Sequence, residues 1–93
     1  MSENIVITGT LTCMPQDLEI VRVEVAEHVR LTRAEPGCIS FSIDPSEDNP
    51  CTFIVRERFV DQAAFDLHTA RTRASRWWEK SKHIPRNLKA VSK

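Results

Sequence analysis

Two glycines and no tyrosine in 93 residues leave little room for several kinds of chemistry. Gly9 and Gly37 stand far apart, so there is no glycine-rich loop to cradle phosphate, no dinucleotide fingerprint and no G-x-S-x-G elbow. Cys13, Cys38 and Cys51 are odd in number and share no C-x-x-C spacing. That pattern suits free thiols in a reducing compartment better than a disulfide framework. No local histidine accompanies them, which argues against a thiol nucleophile. No apolar run approaches the ~20 residues of a membrane span. Met1-Ser2-Glu3-Asn4 lacks the basic start and early apolar core of a signal peptide. The expectation is a cytoplasmic protein without a membrane partner.

Net charge is also lacking, since thirteen Lys and Arg balance thirteen Asp and Glu. The balance hides an asymmetry. Residues 1–68 hold twelve of the thirteen acids and five of the bases, whereas residues 69–93 hold eight bases against Glu79 alone. A neutral whole steers weakly toward phosphates, so the basic end is expected to pack against the acidic remainder rather than to bind nucleic acid.

What is present reads as one globular domain over residues 1–93, at 41% hydrophobic and 28% charged. The firmest stretch is a hairpin. Pro36-Gly37 stops a helix, proline by breaking the ladder and glycine by tolerating positive φ. Ile39, Phe41 and Ile43 then alternate with Ser40 and Ser42, the period-2 pattern of a half-buried strand. Pro45 to Pro50 is all turn-formers and charges, and Phe53, Val55, Glu57 and Phe59 share one face of the return strand. Before the hairpin, Asn4 to Cys13 is rich in β-branched residues, with Ile5, Ile7 and Leu11 on one face. Leu18, Val21, Val25, Val29 and Thr32 recur at helical spacing, predicting an amphipathic helix from about 15 to 34 that carries His28 on its inward stripe. Asp61 suits an N-cap for a helix over 62–68, Thr72 to Lys82 continues helically with or without a kink, and residues 87–92 make a weak last strand. The order is β-α-β-β-α-β, an α+β ferredoxin-like arrangement.

His68, three residues beyond Phe65, is the first candidate for chemistry, as a pocket acid, base or donor. A satisfied core histidine fits the same pattern. His28 can face the same space. Glu57 is a lone carboxylate on an apolar strand face and calls for an Arg or His partner, because buried charge is costly unless paired. Trp77 and Trp78, adjacent on a helix, are not expected to point inward together, so one is core or pocket wall and the other covers a subunit contact. His28, His68 and Glu57 carry no metal-ligand spacing, and no metal site is expected.

Thr32-Arg33-Ala34-Glu35-Pro36-Gly37-Cys38, the hairpin, Glu57-Arg58-Phe59, Ala63-Ala64-Phe65 and His68 together resemble the antibiotic biosynthesis monooxygenase domain, which includes quinol monooxygenases. The resemblance covers about residues 4–92. It implies a ferredoxin-like subunit pairing into a dimeric α+β barrel, hence a homodimer, with a pocket between helices and sheet. It further implies oxidation of a small electron-rich aromatic by O2 as co-substrate, with no metal, flavin or other cofactor. The expected catalytic residues are His68, His28 and Glu57, and the expected apolar walls are Phe41, Val55, Phe59, Phe65 and Trp78. Phe59 departs from the family's usual tryptophan, and the absence of tyrosine departs from the polyketide-oxidising members. The alternative reading is a non-catalytic or isomerase-type barrel that binds a small apolar ligand.

Overall fold

The computed structural model describes residues 3–92. Strand β1 (Ile5–Thr12) leads through a single 3-10 turn (Pro15–Asp17) into helix α1 (Leu18–Arg33). Strands β2 (Cys38–Pro45) and β3 (Thr52–Phe59) form the hairpin. Helices α2 (Gln62–Arg73) and α3 (Arg76–Ser81) follow, then strand β4 (Arg86–Ser92). The four strands make one antiparallel sheet in the order β2-β3-β1-β4. This is the ferredoxin-like α+β arrangement.

The core follows the predicted faces. Ile5, Ile7 and Leu11 of β1 and Phe53, Val55, Glu57 and Phe59 of β3 are all buried. Val21, Val25, His28 and Thr32 of α1 are buried above them. Glu24 lies on the same stripe, where Arg76 neutralises it through an Nε–Oε2 hydrogen bond of 2.7 Å. The expected helix over about 15–34 opens instead as the 3-10 turn, with Pro15 supplying its fixed φ at the first position.

Two local expectations are corrected. Ile39 is 49% exposed rather than sharing the buried face of Phe41 and Ile43. The β2–β3 register slips between Cys38 and Ser40, so Ile39 is the extra residue of a bulge and the alternation resumes only at Ser40. Gly37 does not adopt positive φ. Its requirement is space, since a Cβ there would lie 2.3 Å from the Cβ of Ala64 at the start of α2. Gly9 has a comparable role: a Cβ would sit 2.0 Å from the carbonyl oxygen of Asn87, so glycine is what lets β4 close against β1.

Asp61 caps α2 by accepting from the Ala64 N–H at 2.9 Å, an interaction worth about 1 kcal/mol. The helical run then breaks at Ala74 and restarts when the Ser75 hydroxyl accepts from the Trp78 N–H at 3.3 Å. That restart packs α3 against α1. β4 pairs with β1 from Ile5↔Ser92 to Leu11↔Arg86, and the helices leave it largely uncovered, with Leu88 43% exposed. The basic C-terminal third meets the acidic remainder through Arg71–Glu35, Arg76–Glu24 and His83–Asp17. Among the described residues no helix is long and apolar enough to cross a membrane.

Candidate functional site

A cavity of about 290 Å³ lies between the helices and the sheet, and every strand and helix contributes to its wall. Ile7, Ile43 and Val55 make an apolar floor. Its open side lies toward β4, where Leu88, Ala90 and Arg73 are exposed. Ligand pockets run from roughly 300 to 1,000 Å³, and a dry ~150 Å³ cavity already admits benzene. The space therefore suits a compound of one or two rings and is too small for a large polycycle.

His68, on the inward face of α2, is gripped on both nitrogens. Its Nδ1 lies 3.1 Å from Glu35 Oε1 and 3.3 Å from Oε2. Its Nε2 lies 3.4 Å from the Thr72 hydroxyl and 3.7 Å from Glu57 Oε1. Glu35 also accepts from Arg71 Nε, and Arg71 Nη2 donates to the Thr32 hydroxyl at 2.8 Å. A carboxylate can only accept, so Glu35 places the hydrogen on Nδ1 and leaves Nε2 a lone pair between two cavity-lining residues. Burial pulls His68 below the ordinary histidine range, and Glu35 partly offsets this. The ring lies tilted against Phe59 at 4.8 Å and Phe41 at 5.5 Å, which fixes its plane.

Glu57 is buried, 8% exposed, with no arginine or lysine within ion-pair distance among the described residues. Burial, reinforced by the charge of Glu35, pushes its carboxyl up to about 7. Near neutrality it can exist as the acid or the carboxylate. His28 is 5.8 Å from His68, stacked on Trp77 at 5.5 Å and edge-on to Phe41 at 5.3 Å. Burial first, then the charges of His68, Arg71 and Arg86, hold its pKa down to about 3. The imidazole is thus neutral, and its buried Nδ1 has no hydrogen-bond partner among the described residues.

The structure thus gathers His28, His68 and Glu57 at one cavity, with Phe41, Val55, Phe65 and Trp78 in its wall. Phe59 is not in that wall. It is fully buried behind His68, and its contribution is to back the imidazole. Trp77 and Trp78 both line the cavity, contrary to the expectation that one would turn away, Trp77 buried and Trp78 half-buried. The residues that sequence reasoning passed over are Glu35, Arg71 and Arg86. Glu35 had a signal of its own: a carboxylate one residue past a helix C-terminus opposes the dipole and calls for a cation. No cluster of three or more His, Cys, Asp or Glu among the described residues is arranged to hold a metal ion.

The family model for antibiotic biosynthesis monooxygenase matches residues 4–84. The chain belongs to the antibiotic biosynthesis monooxygenase family. Solved structures place this family member among close folds at low identity. A Shewanella oneidensis protein is 23% identical with a TM-score of 0.82, over 100% of this chain and 93% of that one. A candidate antibiotic biosynthesis monooxygenase from Deinococcus radiodurans is 20% identical with a TM-score of 0.83, over 94% and 89%. A further antibiotic biosynthesis monooxygenase is 24% identical with a TM-score of 0.80, over 96% and 95%. At such identities the likeness carries the fold of this family member and not its substrate. No curated protein matches the sequence.

Proposed function

We propose that this member of the antibiotic biosynthesis monooxygenase family oxidises a small hydroxylated aromatic with O2, using no metal or flavin. The observation that supports the reading best is the Glu35–His68 pair, set with Nε2 toward an apolar cavity of one- or two-ring size. In the reaction His68 Nε2 takes the hydroxyl proton, and the resulting phenolate gives one electron to O2. The radical pair joins through a new C–O bond, and the peroxide takes the proton back from His68. Loss of the ring C–H proton with cleavage of the O–O bond releases water and leaves a quinone. The sum is a phenol plus O2 giving a quinone plus H2O.

Each neighbour has a part. Glu35, held in place by Arg71, fixes the His68 tautomer and stabilises the imidazolium that forms. His28, neutral and unpartnered at Nδ1, offers a hydrogen bond without adding charge to a dry site. Glu57, as the acid, donates toward the substrate oxygen. The uncovered face of the sheet, with Val6, Ile54, Val60 and Val91, is where a second copy packs to make the dimeric barrel, and the working unit is a homodimer.

An oxygen electrode with simple hydroquinones tests the reading. Wild type is expected to consume one O2 per quinone formed, and His68→Ala to lose about 10²- to 10⁴-fold, the usual weight of a general base, with its circular dichroism unchanged. Binding of a hydroquinone with no O2 uptake would leave a ligand-binding barrel in place of an enzyme.

A further inference from the structure

Two cations line the cavity, Arg73 and Arg86, and Arg86 is the less exposed of them. It projects from the inner face of β4, opposite Leu11, into the cavity wall. Arg71 and Arg76 are matched by Glu35 and Glu24, but neither Arg86 nor Arg73 has a carboxylate within ion-pair distance among the described residues. Its Nη2 donates to the Ser81 carbonyl at 2.6 Å and the Ser81 hydroxyl at 3.1 Å, and its Nε reaches the Ile84 carbonyl at 3.4 Å. Nη1 has no partner among these residues. The guanidinium lies 5.8 Å from the Trp77 ring and 5.4 Å from the Trp78 ring, and Arg73 covers Trp78 at 5.6 Å. Burial lowers the pKa of Arg86, the mark of a desolvated cation. A desolvated charge is costly unless an anion joins it, and the free Nη1 can donate a charge-assisted hydrogen bond to a carboxylate.

We infer that the cavity takes an aromatic acid, whose carboxylate is held by Arg86 with Arg73 as the second cation and whose ring lies against Trp77 and Trp78. This rests on the cavity being the substrate site proposed above and deepens that reading. The layout also orients the ligand. Arg86, Trp77, His28 and His68 follow one another at ring separations of 5.8, 5.5 and 5.8 Å. A carboxylate at Arg86 therefore leaves the hydroxyl at His68 on the far side of the ring, meta or para and not ortho. Glu57 is the sole acid in the wall, and as it lies at the His68 end it does not neutralise the pair of guanidiniums.

The test measures binding under nitrogen, by quenching of tryptophan fluorescence, so that no turnover is needed. Wild type is titrated with 3,4-dihydroxybenzoate and with its neutral amide, 3,4-dihydroxybenzamide. The acid is expected to bind about tenfold or more tightly, as a charge-assisted hydrogen bond in a partly dry site implies. Arg86→Gln should bring the acid down to the level of the amide, Arg86→Lys should recover part of the preference, and Arg73→Gln should lose less. Equal binding of acid and amide by wild type, no binding of the acid at millimolar concentration, or a preference that survives Arg86→Gln would each overturn the inference. The wild-type comparison stands even if the variants fail to fold. Acid preference without O2 uptake in air would overturn the oxygenase reading alone, and uptake with hydroquinones but no acid preference would overturn only the inference.

Discussion

Replacing Glu57 by glutamine isolates the electrostatics of the cavity from its packing, because the two side chains have nearly the same shape. In the native protein the carboxyl is held near 7, against an ordinary value of 4.5. The native state therefore keeps this proton to higher pH than the unfolded chain does. Stability is lost as pH rises from about 4.5 toward 7, and the loss persists above that. Taking one pKa unit as about 1.4 kcal/mol, ionisation of Glu57 costs the folded protein about 1 kcal/mol at pH 5 and about 3 kcal/mol at pH 7.5. Glutamine escapes this loss. The advantage of Glu57→Gln over wild type should accordingly widen by about 2 kcal/mol across that range, or roughly 8 °C or more in Tm for a domain of this size. Urea denaturation of both proteins at pH 5, 6 and 7.5, at one ionic strength, reads it directly. A gap that stays constant or narrows as pH rises would refute the picture of a buried carboxyl without a cation.

Two further perturbations probe other parts of the structure. His28, held near 3 against an ordinary 6.5, refuses a proton that the unfolded chain accepts, so stability is lost as pH falls from 6.5 toward 3. His28→Leu should gain about 2 kcal/mol on wild type between pH 7.5 and pH 5 in the same denaturation series, and an unchanged gap would refute the assignment. Gly9→Ala places a methyl group against the Asn87 carbonyl and forces β4 away from β1. A loss of about 1–3 kcal/mol is expected, with amide-exchange protection falling in β4 and kept in the β2–β3 hairpin. Full protection of the β4 amides would contradict the close-approach account.

The parts of the fold that sequence made visible are those with local causes. The faces of β1 and β3, the inward stripe of α1 and the Asp61 cap depend on neighbours two to four residues away, and period alone reveals them. Ile39 escaped because a bulge resets the alternation without a glycine or proline to mark it. The break before α3 had a marker in Ser75, but a serine inside a helical run is ambiguous until its hydroxyl is seen to cap. The site divides in the same way. His28, His68 and Glu57 stood out as polar residues on apolar faces. Glu35 with Arg71 and Glu24 with Arg76 are joined across 36 and 52 positions, and no spacing rule connects such partners. Arg86 was hidden longest, since a strand as polar as Arg86–Ser92 gives no sign of which side turns inward.

The two ends of the hollow are supplied by separate lengths of chain. Proton handling draws on Thr32 to Thr72, whereas the aromatic and cationic rim comes from Arg73 to Leu88. The family match stops at residue 84, so Arg86 and Leu88 lie outside it. A lineage could exchange a few rim residues and admit a different molecule while the imidazole and its carboxylates kept their arrangement. Diversification of substrate range would then be a matter of the last edge strand and a six-residue helix, and libraries confined to those positions are the economical place to look for altered selectivity.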